Sequence, residues 1–195
     1  MPGSSRPVYF ATSNRGKIQE ARIVLSPYGI EAVPFDGKGV EIQAETVSEV
    51  AAFSARAASR IYDRPLIVED AGLFVEALGG FPGPSSSYVY KTLGIRGVLA
   101  LLEGARSRRA RFRSAVAFCE PTGEPRVFEG EVTGRISKSA SGENGFGFDP
   151  VFIPSGGRRS MGALTLEEKC AISHRGESMR KFASWYTGPE AGQRF

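Results

Sequence analysis

The stretch Val8-Tyr9-Phe10-Ala11-Thr12-Ser13-Asn14-Arg15-Gly16-Lys17 passes from a short apolar run into small hydroxyl and amide residues, then a glycine and a lysine. An unbroken apolar run of this length predicts a buried strand over residues 7–12. From Asn14 to about Ser26 the pattern changes to that of a helix. Ile18, Ala21, Ile23 and Leu25 alternate with Lys17, Glu20 and Arg22, Ser13 or Asn14 can cap the start, and Pro27 with Gly29 stops it. A strand feeding a helix N-terminus, with backbone amides, small hydroxyls and a lysine, attracts an anion. It is not a Walker loop. Ala11 stands where that loop's first glycine belongs, and Ile18 follows the lysine where a serine or threonine is needed.

Strands and helices alternate from this corner outward. Ile30–Pro34 reads as a short strand. Thr46 to about Tyr62 is an alanine-rich helix, opened by Thr46-Val47-Ser48-Glu49, a capping-box pattern. Pro65-Leu66-Ile67-Val68 is a buried strand expected to end at Glu69-Asp70. The glycine- and proline-rich run Gly79–Pro84 predicts an irregular loop. Helices follow at about Ser86–Leu93 and Gly97–Leu102. Two long strands, Ala110–Cys119 and Arg126–Ile136, flank the turn Glu120-Pro121-Thr122-Gly123-Glu124. Helical segments at about Leu166–Ala171 and Ser173–Trp185 close the chain. The expected class is α/β with a mixed sheet.

The size, 195 residues with 41% hydrophobic residues, fits one domain or two closely packed lobes. No apolar run reaches the roughly 18 residues needed to cross a bilayer, and the N-terminus lacks a signal-peptide pattern, so the expectation is a cytoplasmic protein without a membrane partner. The single histidine and the distant pair Cys119 and Cys170 cannot build a soft-metal site, so any metal must sit on carboxylates, as magnesium does. The net charge of +4 suits an anionic ligand. Arg106, Arg108, Arg109, Arg111 and Arg113 form a basic cluster. Without a stacking-aromatic pattern of the RNA-binding sort among them, it reads as a solvated turn and strand edge rather than a nucleic-acid surface.

Four places concentrate chemistry. The opening corner is the first. The second is Glu69-Asp70, where adjacent carboxylates next to an apolar strand point different ways and need a cation or donors to offset their burial. Glu41 is a third candidate carboxylate. The third place, Gly142–Pro150, brackets Phe146, Gly147, Phe148 and Asp149 with glycines, and Phe148 offers a flat face for a purine base. The fourth sets Lys169 one short helix before His174 and Arg175.

In this order the motifs Thr12–Lys17, Glu69–Leu73, Ala77–Pro84, Asn144–Phe152, Glu168-Lys169 and Ile172–Arg175 make the chain resemble the inosine triphosphate pyrophosphatase family, over about Val8 to Phe182. The stretch Gly83–Val89 looks more like archaeal and eukaryotic members. The resemblance implies an elongated mixed sheet with flanking helices, in two lobes around a nucleotide cleft, and usually a homodimer. It implies magnesium-dependent hydrolysis of inosine, deoxyinosine and xanthosine triphosphates to monophosphate and pyrophosphate. Carried over by position, Thr12, Ser13, Asn14, Arg15, Gly16 and Lys17 would bind substrate, with Ser13, Asn14 and Lys17 on the phosphates. Glu41 and Glu69 would be metal-side carboxylates, and Asp70 would activate water as general base or hold the metal. Ala71, Phe146, Gly147, Phe148, Asp149, Lys169, His174 and Arg175 would complete the substrate pocket. Ala71 departs from the family by replacing a common serine or threonine. Two other readings are a pyrophosphatase for modified pyrimidine triphosphates and, more remotely, a basic nucleic-acid-binding domain.

Overall fold

The computed structural model describes residues 6–37, 40 and 42–189. Among these, seven strands form one mixed sheet. The chain begins with β1 (Arg6–Ala11), turns at the corner, and enters α1 (Arg15–Leu25). A single turn over Ser26–Tyr28 leads to β2 (Ile30–Phe35), parallel to β1 from Arg6↔Ile30 to Ala11↔Phe35. Then come α2 (Val47–Tyr62), β3 (Leu66–Val75), the short β4 (Pro82–Gly83), α3 (Ser86–Thr92) and α4 (Gly94–Leu101). The hairpin strands β5 (Arg109–Cys119) and β6 (Arg126–Ile136) precede β7 (Phe152–Pro154), α5 (Leu166–Ile172) and α6 (His174–Thr187). The sheet order is β2-β1-β3-β5-β6-β7, with β4 on β3.

The local signals act as expected at the helix starts. Thr46 accepts the Glu49 amide while the Glu49 carboxylate accepts the Thr46 amide and opens α2. Thr165 and Glu168 repeat the same box at α5. α4 starts earlier than its sequence suggests, at Gly94, whose φ of +63° suits glycine.

Two expectations change. β3 does not end at Glu69-Asp70 but runs on to Val75, because every residue from Leu66 to Val75 has a partner on antiparallel β5, from Leu66↔Cys119 to Val75↔Ala110. The acidic pair therefore lies in the middle of an interior strand. Nor is the arginine cluster at a sheet edge, since β5 lies between β3 and β6. Arg108 donates to the carbonyls of Leu102, Ile136 and Ser137, Arg109 pairs with Glu76, and Arg111 and Arg113 pair with Glu131.

Strand alternation sends successive β3 residues to opposite faces of the sheet. On one face Ile67 packs with Val116, Phe118 and residues of α1 and α6. On the other, Leu66 and Val68 pack with Ala115, Ala117 and the alanine stripe of α2. A third apolar cluster joins Leu73 and Val75 to Val89, Val98, Phe148 and Phe152. Cys119 and Cys170 are both buried and unbridged. No helix among the described residues is long and apolar enough to cross a membrane.

Candidate functional site

The site grows from the end of β1. Asn14 caps α1, its Oδ1 accepting from the amides of Gly16 at 2.9 Å and Lys17 at 3.2 Å, while the Ile18 amide donates to the Asn14 carbonyl. The expected row of free amides is thus largely taken up by the cap itself. What the corner still presents is the half-buried Thr12, exposed Ser13 and Arg15, and the Asn14 side-chain amide nitrogen. Lys17 turns inward instead. Its Nζ donates to the Glu69 carbonyl at 2.8 Å and lies 2.9 Å from Glu69 Oε2.

From Glu69 a chain of ion pairs crosses the interior. Arg175 Nε lies 3.0 Å from Glu69 Oε1, and Arg175 Nη1 donates to Glu20 Oε2 at 2.8 Å. Lys169 Nζ then bonds Glu20 Oε1 at 2.7 Å and Asp149 Oδ2 at 2.5 Å. Lys17, Arg175 and Lys169 alternate with Glu69, Glu20 and Asp149, so three cations offset three carboxylates. All but Lys17 are buried. Burial opposes the ionised form of Glu69, but Arg175 and Lys17, with a hydrogen bond from Ser114, outweigh it and hold the carboxyl well below the usual range. Burial likewise opposes ionised Glu20, and Arg175 and Lys169 overcome it. In the sequence Glu20 stands with Lys17 and Arg22 among the polar residues that alternate with the apolar ones of α1. Its signal was positional: three residues after Lys17 and four before buried Val24, it lies within the inward arc of the helix.

Asp70 stands apart from this balanced chain. It lies on the opposite face of β3 from Glu69, and its Oδ2 is buried with no hydrogen-bond partner among the described residues. Burial pushes its pKa up to about 7, with the neighbouring Glu69 charge adding to the rise and Lys17 opposing it. A buried carboxylate oxygen without a donor fits a bound cation or a proton to be accepted. Glu69, by contrast, has its carboxylate engaged by Lys17, Arg175 and Ser114. The structure thus separates two roles that the sequence left joined, with Asp70 the open carboxylate and Glu69 the hub of the ion-pair chain. Among the described residues no three His, Cys, Asp or Glu side chains gather as a metal cage. The third metal-side candidate, Glu41, lies outside the described residues.

The aromatic loop also differs from expectation. Phe148 is a core residue, 3% exposed and edge-to-face with Tyr90, so it offers no free face to a base. Phe146 takes that place. Its half-buried ring lies 4.6 Å from Lys169 Nζ and 5.2 Å from the Arg175 guanidinium, and its amide donates to Asp149 Oδ2. The loop closes onto the opening corner here, because a Cβ on Gly16 would stand 2.6 Å from the Phe146 ring. Gly16→Ala is therefore expected to push the ring off the two cations. Fluorescence titration with inosine monophosphate should show binding weakened about five-fold or more, in line with the energy of one base–aromatic stack. Thermal stability should change little, since alanine favours the helix that the methyl crowds. His174 lies apart from this ring. It is buried and stacked on Phe112 at 4.7 Å and 11°, its Nδ1 has no hydrogen-bond partner among the described residues, and burial beside Arg175 keeps it neutral. Ala71 sits on β3 opposite Ser114, on the Glu69 side of the sheet.

A profile of the Ham1 family matches residues 8–185. The dITP/XTP pyrophosphatase of Methanopyrus kandleri is 49% identical, over 95% of this chain and 99% of its own length. That of Thermococcus kodakarensis is 48% identical, over 90% and 95%. Among solved structures, a HAM1 protein from Coxiella burnetii superposes with a TM-score of 0.82 at 30% identity, covering 93% of this chain and 98% of that one. With the family profile spanning nearly the whole fold and relatives of this identity aligned end to end, the chain belongs to the Ham1 family.

Proposed function

We propose that the chain hydrolyses non-standard purine nucleoside triphosphates, those of inosine, deoxyinosine and xanthosine, to the monophosphate and pyrophosphate, and so removes them from the cytoplasmic nucleotide pool. The observation that carries the reading is Asp70, a half-buried carboxylate with one buried, unpartnered oxygen and a pKa pushed up to about 7, beside a buried chain of ion pairs that begins at the opening corner. The names of the relatives and the order of the motifs agree with it.

The chain's own groups divide the work. Thr12, Ser13, Asn14, Arg15 and Lys17, at the positive end of α1, receive the triphosphate tail. Phe146 stacks on the base, and Arg175 and Lys169 with Asp149 line its edge. Asp70 accepts a proton from water as the water oxygen bonds to the α-phosphorus. The bond from that phosphorus to the bridging oxygen then breaks, and pyrophosphate leaves as a unit. A magnesium ion on Asp70, with Glu41 as the second carboxylate, would neutralise charge on the phosphates and polarise the attacked phosphoryl group. Catalysis by such a site is positioning and charge stabilisation.

Selectivity follows from the donors. The oxo group at the purine six-position of inosine and xanthosine accepts hydrogen bonds from groups such as Arg175. The amino group of adenine leaves them unpaired, and a buried unpaired donor is costly. The test is kcat/KM for inosine and xanthosine triphosphates against adenosine, guanosine and methylated pyrimidine triphosphates. The inosine substrate is expected to exceed adenosine triphosphate by at least about 100-fold. A preference for the methylated pyrimidine would favour the other specificity instead. The family resemblance carries a homodimer with it. Exposed Tyr88, Leu93 and Leu101, on and beside α3 and α4, offer apolar surface for one, which sedimentation would test.

A further inference from the structure

Resting on that reading, we infer that Ser114 and Ser178 are positioning residues for the reaction: they hold the Glu69 carboxylate in one orientation, and through it fix Lys17 on the phosphate side and Arg175 on the base side.

The geometry is specific. Ser114 on β5 and Ser178 on α6 are both 0% exposed. The Ser114 hydroxyl donates to Glu69 Oε1 at 2.7 Å. With that proton committed, the single Ser178 hydroxyl proton is shared between two acceptors, the Arg175 carbonyl at 3.1 Å and Ser114 Oγ at 3.0 Å. Ser178 sits on the same helix as Arg175, one turn on, so the two serines tie the helix that carries Arg175 to the strand that carries Glu69. The approach that makes this possible is built into β6. Gly130, paired with Ser114 across the hairpin, lies so close to α6 that a Cβ there would stand 2.1 Å from the His174 carbonyl and 2.7 Å from the Ser178 amide. Only glycine lets the helix settle near enough for Ser178 to reach Ser114.

On this sheet face Ile67, Val116 and Phe118 are apolar, and the Ser114 hydroxyl lies beside the buried Glu69 carboxylate. A buried hydroxyl is costly unless it serves a partner. Here the partner is one oxygen of a carboxylate whose other oxygen faces Lys17. Donation from Ser114 stops Glu69 from turning toward either cation alone. Without it the carboxylate has only two cations to choose between, and their separation is no longer fixed.

The experiment compares the wild-type chain, Ser114→Ala, Ser114→Cys and Ser178→Ala. The control is Ser59→Ala, another fully buried serine, whose hydroxyl bonds the Arg56 and Glu120 carbonyls away from the site. Ser114→Ala should lower kcat/KM for inosine triphosphate about ten-fold or more, the scale of a lost hydrogen bond to a charged group. Calorimetry without metal should show weaker binding of both inorganic pyrophosphate and inosine monophosphate, because Glu69 positions a cation at each end. Ser114→Cys, with its weaker donor, and Ser178→Ala, one step removed, should fall between. Ser59→Ala should lose thermal stability without change in these constants. A folded Ser114→Ala chain with wild-type kcat, KM and both affinities overturns the inference alone. A wild-type chain that turns over none of the triphosphates overturns the reading beneath it, and the inference with it. If Ser114→Ala fails to fold, Ser178→Ala and Ser114→Cys decide by the same constants.

Discussion

Asp70→Asn is expected to lower kcat for inosine triphosphate by about 10³-fold or more, the scale of a lost general base, and at the same time to stabilise the fold at pH 8. The second effect follows from the sign of the shift. The Asp70 pKa rises from 3.8 to about 7 on folding. Its protonated form is thus favoured by the folded chain. The associated stability is fully present below about pH 4, falls as the pH rises toward 7, and is gone above. The penalty at pH 8 is on the order of 4 kcal/mol. Asparagine carries no charge to bury, so the thermal midpoint should rise most at pH 8, at about 2–4 °C per kcal/mol, and by only about 2–4 °C at pH 4.5, where roughly 1 kcal/mol of the penalty is present. Calorimetry at the two pH values measures it. Magnesium should raise the wild-type midpoint at pH 8, by compensating the same carboxylate, and leave that of Asp70→Asn unmoved. A variant that is active, or that is less stable than wild type at pH 8, contradicts the role given to Asp70.

Arg175→Met should have the largest structural effect. The guanidinium is shared by Glu20 and Glu69 and lies beneath Phe146. Its loss leaves two buried carboxylates short of a partner, and breaking a buried pair in this way costs about 3–5 kcal/mol. The midpoint should fall by roughly 6–20 °C at the same conversion. Adding Glu20→Gln removes one of the stranded charges and should restore part of the loss, since replacing both sides of a buried pair is far cheaper than removing one. Selectivity for inosine over adenosine triphosphate should not return with it, because the donor at the base is still missing. Full recovery of selectivity in the double variant would exclude Arg175 from base recognition. A single variant as stable as wild type would contradict the charge chain.

Local signals were readable wherever one segment carries its own cause. Asn14 at the cap of α1, the Thr46–Glu49 box, and the hairpin about residues 120–124 depend on neighbours within a few residues. What escaped depends on segments far apart in sequence. β3 runs through Glu69-Asp70 only because β5 supplies a partner for each residue to Val75. Phe148 turns into the core and leaves Phe146 to face the cations, a choice set by Tyr90 and the apolar cluster around Phe152. Glu20 is buried because Lys169 and Arg175, about 150 residues later, come to meet it. The motif order was legible, and the fold brings Lys17, Glu69, Asp149, Lys169 and Arg175 from those motifs into one chain of ion pairs. The pairing inside the site was not, since Glu69 and Asp70 look alike in sequence and differ only by the face of the sheet each one takes.

The most direct single measurement is hydrolysis of inosine triphosphate in ¹⁸O-labelled water with magnesium, followed by the masses of the products. Attack at the α-phosphorus by water that Asp70 deprotonates puts the label in inosine monophosphate and leaves the pyrophosphate unlabelled. Inosine diphosphate with labelled inorganic phosphate, or no turnover, would contradict a pyrophosphatase built on this site.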